Sequence, residues 1–225
     1  MFVSTENIGS RMHVLEKKYI LTPQLNIEIG GAPLLPALSM INNRKSTVAV
    51  VDPIVRHITG PLIGAMENDQ FDRIPSIIRG IPDYDEVPFH ANKIIEELYR
   101  FHWNHLSHDW EYAKRRLILV SERIEDFEIE DRKADYISFV FPNPYIISPE
   151  MIITNGMRLL KRGGIMQVMT ENIDFNIELN EFLAGVPNIN YTSEPVECLP
   201  NRLPVSIYDI MRQEPFRYHT EITKL

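Results

Sequence analysis

Leu25-Asn-Ile-Glu-Ile-Gly-Gly-Ala-Pro-Leu-Leu-Pro36 is the stretch on which the reading of this sequence turns. Its apolar run, residues 25–29, stops at Gly30-Gly31, and an apolar segment with helical spacing follows over residues 34–41. A strand that passes through glycines into a helix leaves backbone N–H groups unpaired at the helix start, where a nucleotide-like ligand can approach the backbone. Twenty-two residues beyond Gly30, the run Thr47-Val-Ala-Val-Val51 closes on Asp52. On the tip of the next parallel strand, an acid at that offset can accept hydrogen bonds from ribose hydroxyls.

Outward from this pair, the chain alternates strand and helix signals. The run 47–51 is β-branched without polar alternation, as in a strand buried on both faces. Residues 53–90 carry Gly60-Pro61, Gly64, Pro75, Gly80, Pro82 and Pro88, a density that predicts short broken pieces and a lid-like insertion over the ligand. Residues 89–116 predict a long helix with Ile94, Leu98, Phe101, His105 and Trp110 on one face and a solvated basic end, Lys114-Arg115-Arg116. Strands follow at 117–120, ending at Ser121-Glu122-Arg123, and at 135–141, running into Pro142-Asn143-Pro144-Tyr145. Ser148-Pro149-Glu150 has the form of a helix start, and Gly163-Gly164 reads as that helix's end. A fifth strand at 165–169, a helix at about 174–183 and two late strands at 188–192 and 203–211 complete the pattern, the last two as an antiparallel pair.

The pattern resembles class I S-adenosylmethionine-dependent methyltransferases: glycines after the first strand, an acid after the second, five βα steps and a terminal strand pair. The fold it implies is α/β, a Rossmann-like, mostly parallel seven-stranded sheet with helices on both faces. One domain over residues 1–225 is expected. Carried over residue by residue, the resemblance implies that Glu28, Gly30 and Gly31 approach the methionine and ribose parts of the cofactor. Asp52 corresponds to the ribose-binding acid, Glu122 and Arg123 to the adenine segment. Pro142 falls in the catalytic loop, where Asn143 and Tyr145 would orient the methyl acceptor. Phe141-Pro-Asn-Pro-Tyr145, with Leu160-Lys-Arg-Gly-Gly164, is also similar to tRNA (guanine-N7) methyltransferases, although Asn143 stands where those enzymes commonly have Asp.

Composition narrows the classes. A net charge of −8 gives nucleic-acid binding no help from the global field, so a small-molecule acceptor is expected over nucleic acid. Cys198 is the only cysteine, which excludes an intramolecular disulfide and a cysteine-rich zinc site and fits a reducing, cytoplasmic setting. No apolar run spans a bilayer and no signal-like segment opens the sequence, so no membrane association is expected. His102, His105 and His108 step by three, which drifts about 60° around a helix from first to last. A packed helix face is expected there, a substrate-facing surface is the alternative, and no metal site is expected. The oligomeric state is open, with a homodimer among the options. Two other functions fit: a catalytically silent methyltransferase-like binding subunit, and a nucleotide-dependent oxidoreductase on the same kind of sheet.

Overall fold

The computed structural model describes residues 24–30, 33–81, 87–128, 133–140, 147–197 and 216–225. The strands are β1 (Gln24–Ile29), β2 (Ser46–Val51), β3 (Leu117–Val120), β4 (Ala134–Val140), β5 (Leu160–Thr170), β6 (Ile189–Glu197) and β7 (Phe216–Lys224). The α-helices are α1 (Leu35–Ile41), α2 (Val55–Glu67), α3 (Ile74–Arg79), α4 (Asn92–Leu106), α5 (Trp110–Lys114), α6 (Pro149–Leu159) and α7 (Ile173–Ala184). The strands form one sheet in the order β3-β2-β1-β4-β5-β7-β6. β1 to β5 run parallel, whereas β7 pairs antiparallel with both β5 and β6. The expected Rossmann-like α/β fold with a terminal antiparallel pair is therefore present.

Strand alternation sends apolar side chains to both faces, which is why helices cover both. Leu25, Ile27 and Ile29 of β1 pack with Ile152, Ile153, Phe175 and Leu179 from α6 and α7. Val48 and Val50 of β2 pack on the other face with side chains of α1, α2, α3, α4 and α5. The sheet thus sits between two apolar layers, and each fully buried large aliphatic contributes about 1.5–3 kcal/mol.

Three expectations differ from the structure. The described part of the segment 53–90 is mainly helical and builds the core: Val55, Ile58, Leu62, Ala65 and Met66 of α2 are buried, as are Ile74 and Ile78 of α3. Pro61 lies inside α2 and is exposed, so apolar spacing outweighs the local breakers. The long helix at 89–116 is interrupted by a 3-10 turn at Ser107–Asp109, and its buried face is Ile95, Leu98, Tyr99 and Leu106. Ile94 and Phe101 are each 44% exposed. Both stripes have helical spacing, so periodicity alone cannot choose between them.

Gly163 and Gly164 do not end α6, which runs directly into β5 at Leu160. They fall in a register shift, where Ala134 pairs Leu160 but Tyr136 pairs Ile165, and Gly163 takes φ 73°. The strand that pairs antiparallel with β6 is β7, and the expected strand at 203–211 lies outside the described residues. Ser148 does cap α6, its hydroxyl accepting from the Met151 amide at 3.2 Å.

Candidate functional site: the strand-tip crevice

The ends of four parallel strands are level. Ile29 pairs with Val51 and with Phe139, and Val51 pairs with Val120. Gly30, Asp52 and Ser121 therefore follow neighbouring strands in one row. Two of them still donate sideways: the Gly30 amide to the Val51 carbonyl and the Asp52 amide to the Val120 carbonyl, each at 3.0 Å. The row is thus held by the sheet itself rather than by loop conformation.

Gly30 adopts φ 73°, the left-handed region where a side chain is strained. A Cβ built there would meet nothing within 4 Å, so the turn leaves open space beside bare backbone. The turn re-enters α1 through Leu34, a second left-handed residue at φ 63°, whose side chain is completely buried. Leu34 lends α1 no side-chain cap. Two other groups support the turn. The Glu28 carboxyl takes a hydrogen bond from the Ala37 amide in the first turn of α1. The Tyr99 hydroxyl of α4 donates to the Pro33 carbonyl. The sequence reading missed Tyr99 because it chose the other stripe of α4.

Glu28 is 2% exposed, and its Oε2 is buried with no hydrogen-bond partner. Its side chain belongs to the layer under α1, beside Tyr99, rather than to the open row. Burial pushes its pKa well above the ordinary carboxylate value, the Ala37 amide opposes this, and the nearby Asp52 charge adds to it. The native state therefore binds a proton more tightly than the unfolded chain does. Stability from this group is complete below about pH 4.3, where an unfolded-chain glutamate ionises, and is lost as pH rises through the raised native value. Glu28→Gln keeps an acceptor for Ala37 and removes the ionisation. The stability of the native sequence relative to this variant is expected to fall with rising pH above that point, by up to about 1.4 kcal/mol per unit. Urea unfolding from pH 4 to 8 measures it, and a pH-independent difference would refute the assignment.

Asp52 is 8% exposed and its Oδ1 accepts from the Ile54 amide at 2.9 Å, just before α2. Ser121 is half-buried, and its Oγ is a buried hydroxyl with no partner. Its position at the end of the 117–120 strand is as the sequence indicates, and the register sets it level with Asp52. Glu122 is half-buried and Arg123 exposed, and the Arg123 carbonyl accepts from Asp126 and Phe127 in the turn that follows. Gly31, Pro142, Asn143 and Tyr145 lie outside the described residues.

The histidine-bearing segment lies elsewhere. His105 bonds back to the Phe101 carbonyl at 2.8 Å and its ring meets Phe101. Burial, and then His105, lower the His102 pKa. Among the described residues, no group of three or more potential metal-binding side chains occurs. No helix among them is long and apolar enough to cross a membrane.

No protein-family model matches the sequence, and no curated protein matches it. Solved structures do. An antibiotic-related methyltransferase gives a TM-score of 0.51 at 12% identity, over 99% of this chain and 97% of that one. A mutant of the 16S rRNA (adenine(1408)-N(1))-methyltransferase from Catenulisporales acidiphilia gives 0.51 at 11% identity, over 100% of this chain and 96% of that one. At such identities the likeness is one of fold alone.

Proposed function

We propose that this chain, on the fold it shares with methyltransferases, transfers a methyl group from S-adenosylmethionine to a nitrogen or oxygen nucleophile. One observation carries the reading: Gly30 at φ 73°, open on its Cβ side, follows the strand next to the one that ends in the buried carboxylate of Asp52. Bare backbone beside a fixed acceptor suits a nucleoside, whose ribose hydroxyls are donors. The residues present therefore fit the cofactor. Gly30 and Gly31 would meet its methionine and ribose parts, Asp52 the ribose hydroxyls, Glu122 and Arg123 the adenine, with Pro142 beside them. Glu28 would act through the turn it supports.

The cofactor, when bound, supplies a methyl group activated on a sulfonium. The chain's own work is to align the acceptor and exclude water. By resemblance, Asn143 and Tyr145 are assigned to orienting that acceptor. A small-molecule acceptor is the reading that the net charge of −8 favours over RNA.

A second reading is a silent binding subunit, favoured by the Asp52 Oδ1 bond to the Ile54 amide, since the acid is then already engaged in the turn that leads into α2. The dinucleotide reading is disfavoured by the antiparallel β7 between β5 and β6, which breaks the parallel order of such sheets. A thermal-shift series separates the three. S-adenosylmethionine and S-adenosylhomocysteine are expected to raise the melting temperature and NAD to leave it unchanged. A response to NAD alone would point to the oxidoreductase. Silence with all three would favour the binding subunit.

A further inference from the structure

Both tryptophans of the chain, Trp103 and Trp110, line one recess of about 400 Å3, which Glu67, Asp109, Glu111 and Tyr112 also line. It lies at the opposite end of the sheet from the strand tips. Glu67 ends α2, Asp109 is paired to Arg44 at 3.1 Å just before β2, and α5 leads directly into β3. The two ends are a strand length apart, roughly 15–20 Å.

The walls are fixed. Trp110 is 6% exposed, and its indole N–H donates to Glu67 Oε1 at 2.7 Å. The same oxygen accepts from Lys114 Nζ at 2.8 Å, and that bond holds the Glu67 carboxyl below its ordinary pKa, hence ionised. Trp103 meets Trp110 edge to face, centroids 5.2 Å apart at 66°. Arg116 covers one face of Tyr112 at 4.7 Å. Of the three carboxylates, Glu67 is paired with Lys114 and Asp109 with Arg44, while Glu111 has no ion pair among the described residues.

We propose that this recess binds a small alkylated ammonium ion. Aromatic walls and three carboxylates, of which Glu111 acts on Lys114 only at a distance and makes no contact pair among the described residues, favour a weakly hydrated organic cation, which gains from ring faces and loses little on leaving water. A hard metal ion needs several converging oxygen ligands instead, and no group of three potential ligand residues occurs among the described residues. The proposal is independent of the methyltransferase reading.

The two tryptophans make the full-length chain its own reporter, because all of its tryptophan emission arises at this recess. Choline and its uncharged isostere 3,3-dimethylbutan-1-ol are titrated at constant ionic strength. Choline is expected to give a saturable change in emission, with an apparent affinity roughly fivefold or more above that of the isostere. Glu111→Gln, at an exposed position, is expected to weaken choline about threefold. Trp103→Phe, which leaves Trp110 as reporter, is expected to weaken it as well. A change that does not saturate, one matched by the neutral isostere, or one left intact by both variants would overturn the proposal. Failure of S-adenosylmethionine to bind would leave it standing.

Discussion

Replacing Arg116 by methionine is expected to lower the unfolding free energy by about 3 kcal/mol or more. The side chain is 1% exposed and its guanidinium holds three carbonyls. One nitrogen donates to the oxygens of Asn43 and Ser46 at 2.8 and 2.7 Å, and the other to Ile41 at 2.9 Å. Ile41 ends α1 and Ser46 begins β2, so this one group satisfies the connection between them. Methionine fills similar volume; the Asn43 carbonyl keeps the Ser46 amide at 2.9 Å, but the Ser46 and Ile41 carbonyls each lose a buried donor, and a buried unsatisfied group costs about 1–3 kcal/mol. The gain from no longer burying a charge, whose Nε already lacks a partner, offsets only part of this. Lysine is expected to restore little, since a point charge cannot reproduce the planar fork. Urea unfolding measures the effect; a loss below about 1 kcal/mol for Arg116→Met would mean that water takes over these carbonyls.

The second large effect is expected at Asp52, where the choice of substitution separates stability from binding. Asp52→Asn retains an oxygen for the Ile54 amide and so should keep the entry to α2, changing stability by no more than about 0.5 kcal/mol. It removes the charge that would receive the ribose hydroxyls. Hydrogen bonds to a charged acceptor contribute about 1.5–3 kcal/mol, so affinity for S-adenosylmethionine should fall roughly 10- to 100-fold. Titration calorimetry on both proteins decides it. Equal affinity would remove Asp52 from the site and leave it as the side chain that fixes the turn before α2.

Much of the site's frame could be read from local sequence. The apolar run into Gly30 and the β-branched run into Asp52 each state where a strand ends, and two parallel neighbours with matched ends bring those residues side by side. The Ser148 cap was legible for the same reason: its chemistry operates within one helical turn. The last strand was also there to be found, because Phe216, Tyr218, Thr220 and Ile222 alternate with polar residues.

Other features depended on what lies far away in the chain. Arg116 reads as one more cation in a solvated helix end, and only the loop that folds over it makes it a buried anchor. Tyr99 and Phe101 sit on two equally periodic stripes of α4, and contact with α1, α2 and α3 buries one of them. The prolines and glycines of residues 53–90 suggest broken chain, yet α2 persists because its apolar face has a core to enter. Local sequence sufficed for the five parallel strands in their order, for Gly30, Asp52 and Ser121 at the ends of the first three, and for the class of fold, since these follow from short-range periodicity and turn chemistry. Tertiary structure alone decided which helix faces are buried, which charges are desolvated and that both tryptophans share a recess, since burial and pairing are properties of what packs against a residue and not of its neighbours in the chain.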